Sequence, residues 1–87
     1  MAELVSMKNI GKEMTKKLNS IEIYSAEELK KIGSKETFLR LKTRYSNICL
    51  VHLYSLQGAI EDVEYNRLSE ETKRDLKAFR DELNSTE

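Results

Sequence analysis

An all-α fold, a compact bundle of about five short helices, is predicted by three features of this sequence. Apolar residues recur at three- and four-residue spacing along most of its length, the period of a helix with one buried face. Helix-start residues and a glycine stop divide the chain into segments of helical length. Pro is absent, Gly occurs only three times and 34% of the residues are charged, a composition that suits helices better than sheet. Eighty-seven residues make one domain, 1–87, with a core over about 5–83. A chain of this size buries only about 60–65% of its unfolded surface, so the core has to be small and built by helices lying on one another.

The first helix is expected to open with Asn9 as N-cap and to run to about Asn19, with Ile10, Met14, Leu18 and Ile21 facing inward. The β-branched stretch Ile21-Glu22-Ile23-Tyr24 reads as a buried connection. Ser25 with Glu28 three residues on is a capping box, and its helix continues through Ile32 until Gly33 stops it. Ser34 begins the next, with Phe38, Leu39, Leu41 and Tyr45 apolar and Glu36, Arg40 and Arg44 aligned as a solvated face. Ser46 and Asn47 are expected to cap the most apolar segment, from Ile48 to about Glu61. Val51, Tyr54, Leu56, Ala59 and Ile60 do not fit one narrow stripe, so this helix is central and surrounded. Gly58 inside it costs about 1 kcal/mol of helix propensity, which points to close approach of a neighbouring helix. After a turn carrying Val63, Tyr65 and Leu68, Ser69 caps a last helix. Glu70 and Glu71 complement its dipole, Leu76, Phe79 and Leu83 form its apolar face, and residues 84–87 fray.

Charge narrows the function classes. Formal net charge is zero, yet residues 1–45 hold ten Lys/Arg against six Asp/Glu and residues 46–87 hold five against nine. This split could orient the domain on a polyanion or match an acidic surface on another protein. No apolar run of about 18 residues is present, so no membrane span is expected. The N-terminus lacks a secretory signal and one cysteine cannot close an internal disulfide, so the expected compartment is the cytoplasm.

The stretch from Met7 to Leu18 carries the most specific motif. Asn9-Ile10-Gly11, then Thr15 four residues on and Leu18 three later, reads like the turn and second helix of a helix-hairpin-helix, whose usual form has Gly at both turn positions. Asn in place of the first Gly is tolerable because Asn visits left-handed backbone readily. Such a turn presents backbone N–H groups at a helix start, where the dipole favours phosphate. Lys12 and Lys16 share a helix face and Lys8 lies just outside its start. Two readings stand side by side. In one, Lys8, Asn9, Gly11, Lys12 and Lys16 contact the DNA backbone, with the N–H groups of Gly11 and Lys12 as anion ligands; in the other, the turn only starts and packs the helix while the lysines are solvated. Contact of the first kind is weak and sequence-independent, because no helix offers side chains suited to base edges.

Taken together, several segments resemble the C-terminal domain of TfoX/Sxy-type proteins, regulators associated with natural competence in bacteria. The resemblance spans roughly Val5 to Leu83. It is carried by Asn9-Ile10-Gly11-Lys12, Leu18, Ile23, Ser25-Ala26-Glu27-Glu28-Leu29, Ile32-Gly33-Ser34, Phe38-Leu39-Arg40-Leu41-Lys42, the run from Leu53 to Ile60, and Leu68-Ser69-Glu70-Glu71-Thr72-Lys73. It implies a small all-helical domain of the SAM/helix-hairpin-helix-like kind. Three departures are conservative for packing: Gln57 where Glu is expected, Tyr65 for a common Trp, and Ser69 for a usual Pro. The full-length regulators carry another domain ahead of this one, so the resemblance implies a stand-alone version.

The remaining candidates favour packing over chemistry. His52 has no second His or Cys at ligand spacing, so no metal site is expected. Cys49 lies three residues from His52, which guarantees proximity on a helix but not the orientation a nucleophile and base require. Tyr24, Tyr45, Tyr54 and Tyr65 sit within apolar segments as core or boundary residues. The expected function is thus a non-enzymatic regulatory binding module without a cofactor, a monomer or weak homodimer. It would meet DNA or a DNA-bound regulatory protein and neither a membrane nor a small-molecule substrate. The alternative is a protein–protein interaction domain with no nucleic-acid binding.

Overall fold

Five α-helices form among the described residues, and the most apolar of them packs against three of the other four. The computed structural model describes residues 3–85. A 3-10 turn at Leu4–Ser6 leads to α1 (Lys12–Ser20), α2 (Ala26–Ile32), α3 (Ser34–Arg44), α4 (Leu50–Glu61), a second 3-10 turn at Tyr65–Arg67, and α5 (Glu70–Ser85). No strand occurs among the described residues. Helix α4 packs against α2, α3, α5 and the 65–67 turn. Its Leu53 and Leu56 are wholly inaccessible, Gly58 and Ala59 are buried, and Tyr54 and Ile60 are half-buried. Val51 departs from the expectation of a surrounded helix: it lies in the first turn of α4 and is 51% exposed.

The rest of the core comes from one or two residues per element. Leu4, Ile10, Met14, Leu18, Ile23, Leu29, Phe38, Leu41, Ile48, Leu68 and Leu76 join Leu53 and Leu56 in one cluster. Each fully buried Leu, Ile or Phe contributes about 1.5–3 kcal/mol relative to its exposed state. Ile23 is fully buried in the connection after α1, as its β-branched neighbourhood suggests, whereas Tyr24 beside it is 60% exposed. Tyr45 joins α3 to α1: its hydroxyl lies 2.8 Å from the Ser20 hydroxyl and its ring lies under the Lys17 ammonium. The Ser20 bond, and after it the Arg44 side chain, hold the Tyr45 phenol below the usual tyrosine range.

Helix starts follow capping chemistry, in two cases from other residues than expected. Ser25 Oγ accepts from the Glu28 N–H at 3.2 Å, and the Glu28 carboxylate reaches back to the Tyr24 N–H at 3.1 Å. Ser69 Oγ accepts from the Thr72 N–H at 3.1 Å and starts α5, which continues to Ser85, so 84 and 85, expected to fray, are helical, while 86 and 87 lie outside the described residues. For α4 the cap is not Ser46 or Asn47 but Cys49, whose backbone N–H donates to His52 Nδ1 at 3.0 Å. For α1 it is not Asn9 but Gly11.

Asn9 has a different task. Its backbone is left-handed, φ 68°, and its side chain reaches across the molecule. Nδ2 donates to the Val63 carbonyl at 3.0 Å and to the Ser55 carbonyl at 3.4 Å, while Oδ1 accepts from the Tyr65 N–H at 3.1 Å. The amide thus clasps the N-terminal segment onto the C-terminal end of α4 and the turn that follows. Gly58 makes the space for it. A Cβ there would lie 2.6 Å from Asn9 Nδ2 and 2.6 Å from the Val63 carbonyl oxygen. The close neighbour of Gly58 is therefore a side-chain amide and a loop carbonyl, not a helix. Gly33 is needed for the opposite reason. It ends α2 and begins α3 at φ 90°, ψ 160°, yet a Cβ would meet nothing within 4 Å. Space is free there and conformation is the constraint, since that region is essentially confined to glycine.

These roles predict separable losses of stability, measurable by urea unfolding of the intact chain. Asn9→Gly keeps the backbone accessible but deletes three hydrogen bonds, and should cost about 1–3 kcal/mol. Asn9→Ala should cost about 1–2 kcal/mol more, because the left-handed conformation then strains a Cβ. Gly58→Ala should destabilise by about 1–3 kcal/mol despite its better helix propensity, since overpacking against a backbone carbonyl outweighs the ~1 kcal/mol gained. Combined with Asn9→Gly, it should cost less than the sum of the two, because half of the clash is with the deleted amide. Strict additivity would mean that the two residues do not share one notch.

Candidate functional site

The 9–11 turn is built so that its middle residue is buried and its glycine faces solvent. Ile10 is 4% exposed, and its N–H donates to the Met7 carbonyl at 3.3 Å. Gly11 then turns outward in an extended conformation, φ −101°, ψ −170°, and is exposed. No side chain caps α1. Its first-turn N–H groups belong to the set that every helix leaves without intrahelical partners, at the positive end of the dipole. Thr15, the small residue of the motif, instead closes onto Gly11: its N–H and its hydroxyl both donate to the Gly11 carbonyl, at 2.9 and 2.8 Å.

Lys8, Lys12 and Lys16 are all exposed, and none forms an ion pair with a described residue. Two features moderate the positive field they make. Glu13 lies in the first turn of α1. The Asn9 clasp also holds the segment around Val63, with Glu61, Asp62 and Glu64 exposed, beside the turn. Asn9 itself is half-buried with both ends of its amide occupied, so it supports the turn rather than offering its side chain to a ligand.

Cys49 and His52 come closer together than their spacing alone requires. Sγ lies 3.3 Å from Nδ1, and the cysteine is exposed rather than packed in the core. The Cys49 backbone N–H already uses the Nδ1 lone pair, which leaves the ring proton on Nε2. Proton transfer from the thiol to Nδ1 would turn two N–H donors against each other. The arrangement is a helix cap and a poor nucleophile–base pair. No group of three or more His, Cys, Asp or Glu among the described residues could hold a metal ion. Of the tyrosines, Tyr54 donates its hydroxyl to the Lys73 carbonyl and ties α4 to α5, while Tyr24 and Tyr65 are exposed.

A groove between α3 and α5 was not foreseen. Both helices rest on α4 and scarcely touch each other. The open space between them, about 870 Å³, is lined by Ile32 and Leu39 on one side and Leu76 and Phe79 on the other, with Gln57 of α4 beneath. Reading Leu76, Phe79 and Leu83 as one core face concealed it. Only Leu76 of that face is fully buried; Phe79 and Leu83 lie at the margin. No described helix is long and apolar enough to cross a membrane.

Comparison with known proteins agrees with this architecture. A crystal structure of an uncharacterised protein from Listeria monocytogenes superposes with a TM-score of 0.93 at 38% identity, covering 95% of this chain and 94% of that one. A crystal structure of a protein of unknown function from the same organism, in a tetragonal form, gives a TM-score of 0.88 at 39% identity, covering 92% and 99%. No curated protein matches the chain. The family model of the TfoX C-terminal domain matches residues 1–79. The chain therefore belongs to the TfoX C-terminal domain family, and its 9–11 turn, central α4 and capped α5 are how this sequence builds that domain.

Proposed function

We propose that this chain is a non-enzymatic regulatory binding module, acting in the cytoplasm, and that the start of α1 makes weak, sequence-independent contact with the phosphate backbone of DNA. The observation that carries this reading is an exposed helix start without a side-chain cap, flanked by Lys8, Lys12 and Lys16, none of them in an ion pair with a described residue. Backbone N–H groups at Gly11 and Lys12 would meet a phosphate oxygen, and the lysines would add Coulomb attraction. Few phosphates are within reach of so small a patch, and the carboxylates beside it oppose the field, so affinity is low and falls steeply with salt.

A protein-interaction role without nucleic acid is the second reading. It is favoured by those neighbouring carboxylates, Glu13, Glu61, Asp62 and Glu64, and by the open α3–α5 groove. Titration of labelled duplex DNA at about 50 mM salt separates the two. The phosphate reading expects a Kd in the micromolar range or weaker, a log–log salt slope of about −2 to −3, and loss of binding in Lys12→Glu/Lys16→Glu. Absence of binding, or binding indifferent to that double change, would overturn it.

A further inference from the structure

The α3–α5 groove has the form of a helix-binding site, and its rim states what the helix should carry. We propose that it docks an amphipathic helix of a partner protein, with an apolar stripe facing inward and Lys or Arg along one edge of that stripe. This inference rests on the second reading above and does not depend on phosphate contact at α1.

Three observations lead there. First, α3 and α5 both pack on α4 and touch each other little, so the gap between them is bounded by two helices and floored by a third. An amphipathic helix laid in such a gap reads its partner through residues at i, i+3, i+4 and i+7. Second, the apolar walls are incompletely covered: Ile32, Leu39 and Phe79 are all half-buried, in contrast to the inaccessible residues below them. The floor is pre-ordered rather than collapsible. Ser34 Oγ donates to Gln57 Oε1 at 2.6 Å, and Gln57 Nε2 donates to the Glu61 carboxylate at 2.7 Å.

Third, the rim has an unbalanced charge. Glu36 is paired with Arg40 at 3.2 Å, and Asp75 with Lys35 at 2.8 Å. Glu71 lines the groove, is exposed, and has no ion-pair partner among the described residues. A cation brought by the occupant is therefore matched at Glu71. Lys35 spans the gap to pair with Asp75, with Nζ also 5.4 Å from the Phe79 ring centroid. Both members of its ion pair are substantially exposed, 43% and 65%, so this strap is a weak one that an incoming helix can displace.

The test uses the full chain, ¹⁵N-labelled, and three synthetic 18-residue peptides of Leu, Ala and Lys or Glu. One is amphipathic with Lys flanking the Leu stripe, one replaces each Lys by Glu, and one scrambles the basic peptide so that no stripe forms. The expected result is amide shift changes from the basic amphipathic peptide concentrated at Leu39, Gln57, Glu71, Leu76 and Phe79, and little response to the other two. Glu71→Lys, a change at an exposed residue outside the core, should weaken that binding about tenfold. Lys35→Ala should leave it unchanged or tighten it. Equal response to all three peptides, shifts centred on residues 61–64 instead, no binding, or indifference to Glu71→Lys would each overturn the proposal.

Discussion

A carboxamide on a left-handed residue meets three backbone groups of α4 and the turn after it. Asn9 does what neither Asp nor Ala could do in that place. An aspartate would set a carboxylate, with no hydrogen to donate, against the carbonyls of Val63 and Ser55, and an alanine would bond to nothing while straining the same backbone. The partners lie in two different stretches, the body of α4 and the turn after it, so one side chain fixes both against the N-terminal segment. The absent Cβ of Gly58 is the other half of this join, because the amide occupies the place where that atom would stand.

The arrangement around α4 explains both what is closed and what is open in this domain. Helices α3 and α5 are each apolar enough to cover one side of α4, and neither is wide enough to meet the other across it. The face that remains between them is crossed by long side chains instead of a helix. The 9–11 turn shows a similar division. Its apolar residue seals the core and its glycine faces water, so a single tripeptide serves packing inward and leaves a polarised helix start outward.

Much of this was legible in the sequence because the signals were local. The Ser25 and Ser69 caps and the Gly33 stop depend on residues within one turn, and all appear where the pattern places them. What was not legible depended on distant partners. Asn9 has the right chemistry for an N-cap, and nothing local indicates that carbonyls some fifty residues away will claim its amide. The capping role of His52 was hidden because the third helical position of a capping box is usually Glu or Gln. Phe79 followed the period of its helix faithfully, but periodicity reports which way a residue points and not whether a neighbour reaches it. The lysines at 8, 12 and 16 were correctly read as exposed, while the carboxylates set beside them by the fold were far away in sequence.

The clasp also has a dynamic consequence. Tyr65 is an exposed residue in a surface turn, a position where a backbone proton would ordinarily exchange with water at once. Its N–H is instead held by an acceptor 56 residues earlier, on the segment that carries the first helix. The bonds from Asn9 to Val63 and Ser55 share the same amide, so they open with it as a unit. Hydrogen exchange at this one backbone position therefore reports whether the N-terminal segment is docked, independently of the slower global unfolding that exposes α4.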